Sequence, residues 1–405
     1  MSIRISRIFF FLLLLTGLST VAGYSNSESE QFNSVSIKII DEVLLKGAHH
    51  SKWSHDSIIF SSDGKKLAIL VSDTYYVVEV KDIKDSTKVK KIFSTSDTSH
   101  LRQWVPDNKS IIIEDRLYRP NEKQEDIFII VNTVTNDSSK YPITKKSKSY
   151  NEALWYMIKT SDDGKININH PEDIEKDNAL LKEGMVPYLV NQKKDQGFHY
   201  RITDEENEVW IKTKNKDIKI LDKIGGIYER ELSLKGDRLL IFFEVVGSRN
   251  TKKKACIYDL NTNGLYDLPQ GGENYTWSPD GDWLLYSKSD KLVSISRPES
   301  EFKRIQEGEI PYFDWEATSY SLSDLFLTSW DGKKTIQLTK DKEGEKTITL
   351  EGPAAWSKDN KIAFIYTSFK YEEIEQPKEG TYLILKNAIP SYGIKLAEVL
   401  FEEKK

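Results

Sequence analysis

A single cysteine, Cys256, stands among 405 residues. One thiol cannot staple its own chain, so the fold must rest on packing and hydrogen bonds. In the apolar run Ala255-Cys256-Ile257-Tyr258 it reads as a buried small hydrophobe on a strand. Glycine (21) and proline (12) are too few for a collagen-like or low-complexity chain. No apolar run reaches the roughly 20 residues that span a bilayer as a helix. Positive charge is also short: the net charge of −5 supplies no general attraction to a polyanion, so nucleic acid is not an expected partner. Catalytic signatures are missing as well. There is no His-Glu-x-x-His, no Gly-x4-Gly-Lys-Ser/Thr phosphate loop, no acidic calcium loop ending in Glu and no Gly-x-Ser-x-Gly elbow.

What is present begins at the N-terminus. Arg4 and Arg7 precede an apolar run from Ile8 to Leu15, and Gly17, Ser19, Thr20, Ala22 and Gly23 follow. A charged start, a short apolar stretch and a small-residue cleavage zone make residues 1–23 an expected signal peptide. The mature chain is therefore expected to be exported, periplasmic or secreted, with no stable membrane insertion once the signal is cleaved.

Internal repeats carry the architecture. Trp277-Ser278-Pro279-Asp280-Gly281 leads into Trp283-Leu284-Leu285-Tyr286 and then Lys291-Leu292-Val293-Ser294-Ile295. Phe60-Ser61-Ser62-Asp63-Gly64 leads into Leu67–Val71 and Tyr75–Val80, and Trp104-Val105-Pro106-Asp107-Asn108 into Ile111–Ile113 and Asp126–Val131. Leu232–Gly236 leads into Leu239–Phe243 and Cys256–Leu260, and Trp356–Asn360 into Ile362–Tyr366 and Tyr382–Leu385. Weaker copies are Thr160–Gly164, and Phe313-Asp314-Trp315 with Asp324–Leu327 downstream. In each unit a large apolar side chain closes one strand, a Pro/Asp/Gly turn reverses the chain, and a β-rich run restarts it.

The anchors fall at 60, 104, 160, 232, 277, 315 and 356. Most spacings are near the 40–45 residues of one four-stranded propeller blade. The expected fold is all-β, a β-propeller of four-stranded antiparallel blades, seven in number, or six if the repeats at 160 and 315 share sheets. One propeller domain is expected over residues 46–401, with residues 24–45 contributing a strand that closes the ring. Ser36–Ile40 is expected to pair in the final blade with Tyr382–Leu385 or Gly393–Leu400, burying Ile37 and Ile39 or their neighbours.

These residues resemble the repeat of the TolB-like propellers, which also builds the propeller domains of prolyl oligopeptidases and dipeptidyl peptidases. Trp277–Gly281 with Leu284–Tyr286 carries the likeness, together with Asp324-Leu325-Phe326 and Leu338-Thr339. The likeness implies the fold over residues near 46 to 400. It implies no peptidase activity, because the hydrolase elbow is missing. An oligogalacturonate lyase of similar fold holds a His-bound metal in its channel, which makes the cluster His49, His50 and His55 the leading ligand candidates if the chain is an enzyme.

Neither a metal nor a cofactor is expected. His100, His170 and His199 stand apart, and lysine-rich runs such as Lys252–Lys254 read as solvated loops. Trp53, Trp155, Trp210 and Trp330 lie outside the anchors and read as packing residues. The expected role is non-catalytic: a monomeric binding or scaffolding module for an envelope or secreted protein. The alternative is a polysaccharide-active lyase or hydrolase with its site at the channel mouth. Segments entering the innermost strands place His100, Arg102, Tyr150, Glu229, Tyr275 and Tyr312 at the expected channel rim.

Overall fold

The computed structural model describes residues 32–45, 56–71, 73–94, 99–105, 108–117, 125–142, 158–160, 166–168, 185–191, 196–202, 207–212, 217–233, 235–245, 252–296, 319–341, 345–375 and 382–403. The expected signal peptide, the histidines at 49, 50 and 55, and His170 lie outside them. Val35–Leu400 form one compact unit; Met1–Ser34 with Phe401–Lys405 form another, of which the ends of two strands are described.

Nearly every described element is a strand. They run β1 (Phe32–Leu44), β2–β5 (Ser57–Phe60, Lys66–Val71, Thr74–Glu79, Lys90–Ser94) and β6–β9 (His100–Trp104, Ser110–Leu117, Glu125–Asn132, Ser138–Pro142). The short β10 and β11 (Ile158–Thr160, Ile166–Ile168) precede β12–β18 (Met185–Asn191, Gln196–Ile202, Asn207–Lys212, Asp217–Leu232, Arg238–Val245, Lys252–Asp259, Gly264–Asp267). Then come β19–β22 (Gly272–Trp277, Trp283–Ser296, Ser319–Ser329, Thr335–Gln337) and β23–β27 (Thr347–Trp356, Lys361–Lys370, Glu373–Glu375, Tyr382–Lys386, Ile389–Glu403).

Strands β2–β5 and β6–β9 are consecutive four-stranded sheets, each neighbour antiparallel to the next. Strands β15–β18 repeat the pattern inside a seven-stranded sheet, and β19–β22 repeat it again. The last sheet has the order β1-β27-β24-β23. These are propeller blades, and the side chains between them show how they stack. Trp104 Nε1 donates to Ile59 O at 3.3 Å, and Trp277 Nε1 to Glu231 O at 3.3 Å. In both cases the acceptor lies one residue before the anchor of the preceding sheet.

The repeat turn is a small hydrogen-bonded device. Ser61 Oγ donates to Asp63 Oδ1 (2.6 Å) and accepts from Lys66 N (2.9 Å), while Asp63 also takes Lys65 N. The Ser61 bond is the main reason the Asp63 carboxyl lies below its usual range. Ser278–Asp280 and Ser357–Asp359 repeat it.

Hydrophobic alternation then divides each sheet between its neighbours. Ala363, Ile365, Ile394 and Leu396 of the last sheet join Leu67, Ile69 and Val78 of the first in one core. The adjoining face of the first sheet, through Ala68, Leu70 and Tyr75, joins Ile111, Ile113 and Ile129. The first and last sheets of the chain are therefore direct neighbours. Cys256 is 1% exposed in the core of β15–β17, where burial pushes its thiol up.

Several expectations change. Trp283–Tyr286 and Lys291–Ile295 belong to one strand, β20, which pairs with β21 throughout and accommodates Ser289–Lys291 as an irregularity. Asp324–Leu327 lie on β21 in the same sheet, and β19 contacts β23 directly. The 315 repeat thus supplies no described sheet between those of Trp277 and Trp356. Tyr382–Leu385 leave the last sheet: β26 runs parallel to β20. Within the last sheet β1 lies beside β27, with Leu45 N donating to Tyr392 O at 2.8 Å. Val35 and Val43 of β1 and Leu45 just after it are buried, whereas Ile39 is 44% exposed. Lys252–Lys254, expected in a loop, form the solvated end of β17.

Candidate functional site

A small depression lies where β17 passes the connection into β19. Lys253, Lys254, Asp267, Gln270, Gly271, Gly272 and Tyr275 line it. Tyr275 is nearly buried, stacks on Tyr286 at 5.1 Å and meets Phe242 at 6.1 Å. Tyr286 in turn stacks on Phe326 at 5.6 Å. Gly272 permits this: a Cβ there would lie 2.1 Å from the Tyr275 hydroxyl and 2.7 Å from the Tyr286 ring. The Tyr275 hydroxyl donates to Pro269 O at 3.3 Å and so holds the depression's wall.

The rim is charged in both senses. Lys253 Nζ sits 3.2 Å from Glu273 Oε1 and 5.8 Å from the Phe242 ring centroid. Lys253, Lys254 and Glu273 are all exposed. The rings beneath belong to the core, Tyr275 being 6% exposed and Tyr286 fully buried, so what the depression presents to solvent is mainly its charged rim.

A second polar cluster lies in the seam between the Trp277 and Trp356 sheets. Glu351 on β23 is 5% exposed, and its Oε1 is 3.4 Å from Lys395 Nζ. Among the described residues its Oε2 has no hydrogen-bond partner. Burial pushes the Glu351 carboxyl above its usual range, outweighing the Thr339 hydroxyl and the Lys395 ammonium. Lys395 Nζ lies 4.7 Å from the Tyr366 ring centroid, and the Tyr366 hydroxyl donates to Glu42 of β1. That ring lies over Gly393, where a Cβ would come within 2.6 Å of it. Asp324 accepts from Gln337 Nε2 at 2.7 Å near the same seam. The seam ties β1, β24, β27 and β23 to β21, so its chemistry is that of a joint.

The described residues expected at the rim lie on three different sheets, on β6, β15 and β19. His100 opens β6, half-buried, opposite Glu114; Arg102 sits at the irregularity between Leu101 and Gln103. Glu229 is on β15 opposite Phe242. Tyr275 is a core aromatic that also borders the depression. Tyr150 and Tyr312 lie outside the described residues. Lys253, Lys254 and Glu273 escaped the sequence reading. Their signal was the continuity of the lysine run with the apolar run Ala255–Tyr258, which extends a strand rather than a loop. Trp330 packs between sheets, 4.8 Å from Tyr266 and 4.1 Å from the Arg238 guanidinium.

Fold and site together define a class: an all-β propeller-blade protein with an aromatic, charge-rimmed depression. No protein-family model and no curated protein matches the sequence. Among solved structures the chain is similar to a TolB protein from Agrobacterium tumefaciens, at 11% identity over 70% of this chain and 80% of that one, with a TM-score of 0.35. It is also similar to TolB from Acinetobacter baumannii (10% identity, 86% of this chain, 64% of that one, TM-score 0.33). An oligogalacturonate lyase from Vibrio parahaemolyticus compares at 9% identity, 56% and 72% coverage and TM-score 0.36. Likeness at this level bears on no activity, and the fold rests on the sheet order and packing above. Among the described residues no helix is long and apolar enough to cross a membrane, and no three His, Cys, Asp or Glu side chains are grouped to hold a metal.

Proposed function

We propose that the chain is an exported propeller of the cell envelope or secreted space that acts by binding another protein. The observation that supports this is the depression beside Tyr275, which Lys253, Lys254 and Asp267 line and where exposed Glu273 pairs with Lys253 above buried, stacked aromatics. A rim of exposed charges of both signs on a rigid aromatic base offers charge complementarity to a partner segment. The signal-like pattern of residues 1–23, a charged start, a short apolar run and small residues, supports export.

The test is photo-crosslinking in cells from a photoreactive residue placed at position 254. A discrete adduct with an envelope or secreted protein is expected. Lys253→Glu should weaken it at least tenfold while leaving the thermal midpoint in place, because Lys253 is exposed and its ion pair is a surface one. Absence of any adduct, or an adduct indifferent to Lys253→Glu, overturns the reading. Tyr275 is unsuited to this test, since its replacement acts on the core.

A further inference from the structure

We propose that two copies of this chain join edge to edge through β1, extending the last sheet across a two-fold axis at Ile40. The monomer expected from sequence gives way to a dimer on this account, which is independent of the depression beside Tyr275. β1 ends the order β1-β27-β24-β23, so among the described residues one side of it carries no neighbouring strand. That side is long and only partly defended. Ser36, Lys38, Ile39, Ile40, Glu42 and Leu44 are all exposed, and Ile39, Ile40 and Leu44 are 44%, 40% and 51% exposed. An edge of this kind is a template for another strand.

The sequence of β1 is complementary to itself in one register. When two identical strands pair antiparallel in a continuous sheet, the axis is perpendicular to the sheet and opposed residues share a face. Opposed positions must therefore both be even or both be odd. With Ile40 opposite Ile40, Lys38 falls opposite Glu42 twice, once on each side of the isoleucine pair, and Ser36 falls opposite Leu44. Moving the axis to Ile39 sets Lys38 opposite Ile40 and Ile37 opposite Asp41, and both cross-strand ion pairs are lost. Opposite charges directly across a ladder stabilise the pairing, and like charges oppose it. The charges that would repel a random strand thus select this chain's own β1.

The last sheet also prepares one partner. The Tyr366 hydroxyl donates to Glu42 Oε1, which fixes the carboxylate on the even face of β1. Its second oxygen then meets Lys38 of the other copy. Tyr366 lies flat over Gly393 to make that bond.

The test uses the full mature chain. Sedimentation should show a dimer that dissociates on dilution. Ile40→Cys should form a disulfide-linked dimer under mild oxidation, because directly opposed Cα atoms approach to about 4.5–5.5 Å, within the range a disulfide spans. The buried Cys256 stays silent, and Ser36→Cys, which opposes Leu44, should not link. Lys38→Glu should raise the dimer dissociation constant at least tenfold, with the unfolding temperature unchanged when both proteins are dilute enough to be dissociated. Lys38→Glu with Glu42→Lys should restore it in part, since the reversed pair lacks the Tyr366 hydrogen bond. A wild-type monomer at all concentrations, a dimer that ignores Lys38→Glu, or a dimer whose Ile40→Cys form fails to cross-link each overturns the proposal.

Discussion

Gly281 and Gly332 occupy the same place in two Ser-x-Asp-Gly turns, with φ of +71° and +72°. In both, the serine hydroxyl donates to the aspartate and accepts from a backbone N–H, Trp283 N at 2.9 Å in one and Lys334 N at 3.0 Å in the other. Alanine at either site meets the same left-handed penalty, about 1–2 kcal/mol. Their surroundings separate them. A Cβ at 281 would meet the Ser233 Cβ at 3.3 Å, a small side chain able to give slightly. A Cβ at 332 would stand 2.3 Å from Asp267 O, a backbone oxygen at the end of β18. That oxygen has no rotamer to change, so the two sheets must part locally, an overpacking cost of about 1–3 kcal/mol more. Gly281→Ala should therefore lose about 1–2 kcal/mol and Gly332→Ala about 2–5 kcal/mol, the sum of both effects. Urea unfolding followed by tryptophan fluorescence measures both, with the slope m unchanged as the check that the unfolded states match. Equal losses at the two positions would refute the contact between the β21–β22 turn and β18, whatever their size.

Two further outcomes follow from burial. Leu45 is 4% exposed in the core shared by the first and last sheets, while its neighbour Leu44 is 51% exposed. Leu45→Ala should cost about 2–5 kcal/mol and Leu44→Ala within about 0.5 kcal/mol, measured on the protein dilute enough to be dissociated; similar losses would mean β1 does not alternate as described. Glu351 has its folded carboxyl raised above its ordinary 4.5, first by burial. Above 4.5 the unfolded chain releases a proton that the folded protein keeps, so stability is fully present below that pH and falls as pH rises through the higher folded value. Glu351→Gln should flatten this decline in the pH profile of the thermal midpoint. Asp341, also raised chiefly by burial, leaves a residual slope of the same sign. The turn aspartate Asp63, held low chiefly by Ser61, acts oppositely, its stabilisation being lost as pH falls through its lowered folded value. A decline unchanged in Glu351→Gln would show that the carboxyl is solvated.

The turns were legible because their chemistry is local: Ser61, Asp63 and Gly64 suffice to close one another's hydrogen bonds. The tryptophan anchors were legible because a large apolar side chain ending a strand has few places to go except between sheets. Neighbour choice was not local. Tyr382–Leu385 and Gly393–Leu400 alternate alike, yet one runs parallel to β20 and the other pairs with β24. Period two marks a strand and leaves its partner open. The break expected after Tyr286 has a similar origin. Ser287-Lys288-Ser289-Asp290 has the polarity of a turn, but Ser287 is 7% exposed, its hydroxyl donating to Glu273 O and accepting from Asn274 Nδ2. Polar residues that satisfy a neighbouring strand look, in sequence, like residues that face water. Tyr275 shows the converse. An aromatic within β19 fits a rim or a core equally well, and the deciding residue is Gly272, whose missing side chain lets Tyr275 and Tyr286 stack. The glycine is three positions away from Tyr275, and its consequence depends on a tyrosine fourteen residues downstream of it. The candidate site was therefore less legible than the fold, because it is made where two strands' side chains meet, and a repeat pattern records only what each strand does alone.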